Sequence, residues 1–99
     1  MKDNKIIGEV KVGTKATKQI IDLLGYRNKV VKDIAKFKLK NDMSIFQENR
    51  WKDLLAKHLQ QGIEQGLDSN HISMIFHEIH RDSIIIQSKL FQQEKEKAL

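Results

Sequence analysis

Arg27 and Lys38 stand eleven residues apart in the run LLGYRNKVVKDIAKFK. On an α-helix, eleven residues close three turns to within ~20°, so the two cations share a face about 16 Å apart along the axis. Ile20, Leu24, Val31 and Ile34 form the apolar stripe of that helix, and both cations fall where the stripe asks for core residues. Arg50 precedes Leu54 by four at the start of a second periodic stretch. Ser83 and Gln87 interrupt a third stripe, which joins Phe76, Ile79 and Leu90. Taken singly, each has a plain reading. A lysine at a stripe edge snorkels to water, Arg27 pairs with Asp22 or Asp53, and a buried Gln satisfies a backbone group. Taken as a set, they point elsewhere, because a charge buried without a partner is costly. Two cations and an amide donor on facing stripes suit a small dianion held between them. Other chemistries are poorly served. No base is arranged beside Ser83 for nucleophilic attack, and there is no cysteine for thiol chemistry. His77 and His80 are three apart, a spacing found in metal sites, but no Cys, Asp or Glu cluster completes one. Neither a metal nor a cofactor is expected.

The elements that must position these residues are helices. The first is predicted from about Ala16 to Lys40, with Thr14 or Thr17 as its cap. Its length of ~37 Å is large beside the ~13 Å radius of gyration of a compact chain of this size. A second copy packed along it is the expected remedy, and Gly25 would allow close approach. Residues 1–13, MKDNKIIGEVKVG, read as a flexible or extended arm, since Gly8 and Gly13 weaken a helix and Glu9 to Val12 alternates as a strand would. The helical domain is thus placed at residues 14–99. Asn41 to Gln47 reads as a loop, with Ser44 and Gln47 as a capping box. The second helix carries Trp51, Leu54, Leu55, His58, Leu59 and Ile63 at helical spacing. Gly66 ends it and Asp68 or Ser69 caps the third. That helix shows Ile72, Ile75, Phe76, Ile79, Ile86 and Leu90 in register, and beyond Phe91 the polar tail is expected to fray.

Composition agrees with one all-α domain of three helices: there is no Pro among 99 residues, and 39% are hydrophobic. No apolar run approaches the ~18 residues of a membrane span, and the N-terminus has no signal-peptide core. The absence of cysteine suits a cytoplasmic setting. A net charge of +5 permits nucleic acid, an acidic surface or a small anion as partner. Lysines interspersed with Asp and Glu, with no cluster of aromatics to stack on bases, argue against nucleic acid.

The ordered set LLGYRNKVVKDIAKFK, QENRW, GLDSNHISMIFHEIH and DSIIIQ resembles the all-helical (type II) chorismate mutase family, from about Ile20 to Leu90. The ending IHRDSIIIQ resembles the branch fused to 3-deoxy-7-phosphoheptulonate synthase. The resemblance implies an intertwined homodimer with paired first helices and a Claisen rearrangement of chorismate to prephenate, in Phe and Tyr biosynthesis. It implies that Arg27 binds a substrate carboxylate and that Lys38 binds a carboxylate and the ether oxygen. Gln87 would donate to that oxygen, Ser83 would support a carboxylate, and Arg50 would shape the ring-hydroxyl side, with Gln47 and Trp51 beside it. Trp51 stands where the family has Glu. Val10 stands where the family sends an Arg from the partner subunit, so Lys11 or Lys15 would take that role. Two other readings share the fold: an isochorismate pyruvate lyase, and a degenerate, non-catalytic regulatory or binding domain.

Overall fold

The computed structural model describes the backbone of residues 2–98 and the side chains of residues 10–97. It contains three helices, α1 (Lys2–Lys40), α2 (Glu48–Glu64) and α3 (Ser69–Ala98), and no strand among the described residues. The fold is all-α, as expected. No helix among those residues is long and apolar enough to cross a membrane.

The non-helical arm is corrected. α1 continues through residues 2–13, because a lone glycine costs only ~1 kcal/mol and no proline stops the helix. An alternating Glu9 to Val12 has no neighbouring strand to pair with among the described residues. Thr14 and Thr17 are not caps either. Their hydroxyls donate back along the helix to the carbonyls of Val10 (2.9 Å) and Gly13 (3.0 Å).

The chain divides into two units, Met1–Val30 and Val31–Leu99. In the first, every side chain from Val10 to Lys29 is exposed, Ile20, Ile21, Leu23 and Leu24 among them. The second holds the last turns of α1, the loop, α2 and α3. Its buried stripe on α1 is Val31, Ala35 and the half-buried Lys38, spaced four and three. The sequence had nominated Ile34, which is 43% exposed, whereas Ala35 is completely buried.

α1 and α2 end in the same way. The Met43 and Leu67 amides reach back to the carbonyls of Lys38 (2.8 Å) and Gly62 (3.0 Å). Asp42 (φ 53°) and Gly66 (φ 76°) supply the left-handed residue this closure requires. The expected capping box is replaced: α2 starts at Glu48, and Gln47 occupies the cap position without a side-chain cap bond. Asp68 does cap α3, accepting from the His71 amide at 2.9 Å. The tail stays helical to Ala98, aided by contacts from Gln92 to Glu96 and from Lys97 to Glu94.

α2 packs on α3 through a glycine that periodicity does not mark. A Cβ on Gly62 would lie 2.8 Å from Cγ1 of the buried Ile72. Its neighbour Ile63, nominated for the core, is largely exposed. Gly25 has nothing within 4 Å.

Candidate active site

The stripes of the second unit place polar side chains where a core would be apolar. On α3 the inward series is Ile72, Phe76, Ile79, Ser83, Gln87 and Leu90, and its two most buried polar members are Gln87 (5% exposed) and Ser83 (8%). Lys38 reaches them from α1. Its ammonium donates to the Gln87 side-chain oxygen Oε1 at 2.9 Å and to the Ile45 carbonyl at 2.7 Å. A lysine ammonium has only donors, three of them. The Gln87 oxygen must therefore face Lys38, its amide NH₂ is turned away, and one Lys38 hydrogen remains for another acceptor.

No carboxylate hydrogen-bonds Lys38 among the described residues. Burial is the main cause that holds its pKa below the usual lysine value, and the positive charge of Arg50 adds to it. Arg50 lies on the exposed face of the first turn of α2. The site is thus a half-buried cation, a second cation near enough to repel it, and a buried amide. It is electropositive and built from hydrogen-bond donors. Ser83 sits one turn before Gln87. Its hydroxyl donates to the Ile79 carbonyl at 2.9 Å, which occupies its proton but leaves its lone pairs.

Trp51 and Gln47 flank Arg50. Gln47 is half-buried at the helix start, with its amide 3.5 Å from the Ser44 carbonyl. Trp51 lies flat on His80, ring centres 3.8 Å apart and planes at 11°, and meets the edge of His77 at 5.4 Å. The His77 Nδ1–H donates to the Ser73 carbonyl at 2.7 Å.

The second unit therefore brings together Lys38, Ser83 and Gln87, with Arg50 close enough to act on Lys38. Arg27, Lys11 and Lys15 lie in the first unit, and their side chains are exposed. Asp22, one of the partners expected for Arg27, pairs instead with Lys18 at 3.0 Å. Two participants escaped the sequence reading. The Ile45 carbonyl is main chain and carries no side-chain signature. His80 reads from the sequence only as a metal-ligand candidate with His77, although it precedes Ser83 by three and Gln87 by seven on the same stripe.

Fold and site define an all-helical protein in which Lys38 and Gln87 meet in a half-buried, electropositive cluster under the charge of Arg50. Residues 14–88 match the family described as chorismate mutase type II. The chain is 38% identical over 73 residues to the bifunctional chorismate mutase/prephenate dehydratase of Buchnera aphidicola subsp. Schizaphis graminum, covering 74% of this chain and 19% of that protein. With the protein of the same name from the Acyrthosiphon pisum subspecies it shares 33% over 75 residues, covering 76% and 20%. The chain spans about a fifth of the length of these curated relatives. It belongs to the type II chorismate mutase family.

Proposed function

We propose that this chain rearranges chorismate to prephenate, in the cytoplasmic synthesis of Phe and Tyr. The observation that carries the reading is the Lys38 ammonium, half-buried beside Gln87 and under the field of Arg50, with no carboxylate bonded to it among the described residues. A pericyclic reaction needs no nucleophile or base. It needs the compact conformer of the substrate to be held, and the charge developing on the ether oxygen to be stabilised.

In this reading the third Lys38 hydrogen and the Gln87 NH₂ meet the breaking C–O bond. Ser83 turns its hydroxyl from the Ile79 carbonyl to a substrate carboxylate. Arg50, Gln47 and Trp51 line the ring-hydroxyl side. The carboxylate role of Arg27, and that of Lys11 or Lys15 from a second copy, rest on the family resemblance. A homodimer is part of the proposal, supported by the apolar residues that the first unit exposes. The association with 3-deoxy-7-phosphoheptulonate synthase is not supported by the two relatives, whose names join the mutase to prephenate dehydratase. A dehydratase that consumes prephenate is the better-supported functional neighbour.

Incubation with chorismate, and separately with isochorismate, tests the activity. Prephenate from chorismate is expected. Pyruvate and salicylate from isochorismate would assign a lyase, and no turnover of either would leave a binding module. Sedimentation at micromolar concentration should give twice the chain mass, and a helical monomer would overturn the dimer.

A further inference from the structure

One side chain of α3 touches both segments that border the Lys38 site. The His80 ring is stacked on Trp51, which follows Arg50 directly, and lies 5.6 Å from the Phe46 ring at 53°. Phe46 in turn follows Ile45, whose carbonyl holds the Lys38 ammonium. His80 is half-buried on the same face of α3 as Ser83 and Gln87. The loop 41–47 is tied at its start by the Met43 amide bond to Lys38 and at its end by the Trp51 amide bond to Gln47 (3.0 Å). Between those ties, the Ile45 carbonyl meets Lys38 and the Phe46 ring meets His80.

We propose that His80 is a positioning residue: its ring, between Phe46 and Trp51, clamps the loop and the first turn of α2 onto α3, and so sets where Ile45 holds Lys38 and where Arg50 stands. The inference deepens the reading of this site as a mutase site and rests on it. Geometry favours ring stacking as the working contact. Planes at 11° and centres at 3.8 Å are a face-to-face overlap, and aromatic pairs gain stability beyond the area they bury. Lys38 acts only if its ammonium points at the reacting oxygen, and a small misplacement of such a group lowers the rate steeply.

The test compares His80→Ala with His80→Phe, which keeps a ring. In His80→Ala, kcat should fall by ~10–10²-fold while KM moves by less than about threefold. His80→Phe should restore kcat to within about threefold of wild type. Trp51 is the single tryptophan of the chain, so its emission reports the stack directly and should shift to the red in the alanine variant alone. Exchange of the Met43 amide hydrogen should be faster in the same variant. Wild-type kcat in His80→Ala overturns the proposal, as does a His80→Phe variant as slow as the alanine one. Should His80→Ala lose its helicity, Phe46→Ala opens the clamp from the exposed loop while keeping the Trp51 stack: kcat should again fall and Met43 exchange quicken, and wild-type values of both overturn the proposal. If the wild type does not turn over chorismate, the mutase reading fails on its own. The clamp is then decided by Trp51 emission and Met43 exchange, and no change in either overturns it.

Discussion

The two units of this chain treat apolar and polar residues in opposite ways. Met1–Val30 leaves Ile20, Ile21, Leu23 and Leu24 exposed on a helix with no covering element of its own unit. Val31–Leu99 buries Ser83 and Gln87 as deeply as Val31 and Ile72. In the second unit, positions that would complete an apolar core are given to polar side chains that can donate hydrogen bonds. In the first, apolar surface remains that the unit itself does not cover. The contrast teaches that neither unit carries the apolar core its stripes could build: one leaves apolar side chains exposed and the other buries polar ones.

The largest expected effect tests the polar interior of the second unit. Lys38→Met should lower kcat/KM for chorismate by ~10²–10³-fold, the loss typical of a preorganised electrostatic donor. Thermal stability should change little. Relief of a buried cation is offset by two acceptors, the Ile45 carbonyl and the Gln87 oxygen, left without a donor. Wild-type turnover would put Lys38 outside the chemistry.

The same substitution made in both units sharpens the comparison. Gly62→Ala forces a Cβ against the stiff, buried Ile72 and should destabilise by about 1–3 kcal/mol in chemical denaturation. Gly25→Ala meets nothing within the chain, so a lone copy should gain up to ~1 kcal/mol from helix propensity. A loss at Gly25 that grows with protein concentration would show a second helix seated there, in support of the proposed dimer.

The pH dependence follows from Lys38. Its ammonium loses its proton below the ordinary lysine value of 10.5, so kcat/KM should fall along an alkaline limb that starts lower than for an unperturbed lysine. A bound dianion favours the charged form, so the limb in kcat should lie higher than the limb in kcat/KM. Arg50→Gln removes one cause of the depression and should move the kcat/KM limb upward. An unmoved limb would show that Arg50 does not act on Lys38. The stability sign is the reverse of a salt bridge. Between the depressed value and 10.5 the unfolded chain binds the extra proton, so stability from this group rises with pH across that window.

The smallest effect concerns the loop. Asp42 holds a positive φ that Gly adopts more readily. Asp42→Gly should leave activity unchanged and raise stability by less than ~1 kcal/mol, since the more flexible unfolded chain offsets part of the gain. A clear loss of stability would mean that the Asp42 side chain makes a needed contact.

What could be read from the sequence was local. Gly66 after one periodic stretch and Asp68 before the next mark a helix end and a helix start, because both motifs are completed within five residues. Lys38, Ser83 and Gln87 stood out because polar residues on an apolar stripe are visible in any periodic pattern. The helix through residues 2–13 was missed because glycine content is a weak prior against an uninterrupted, proline-free helix. The tertiary structure decided the rest. It chose Ala35 over Ile34 and Gly62 over Ile63, aimed the Gln87 oxygen at a lysine forty-nine residues away, and stacked Trp51 on His80. Periodicity reports which face of a helix is turned inward. Which atom that face meets depends on the rotation and spacing of the facing element, and these are set only when the helices pack.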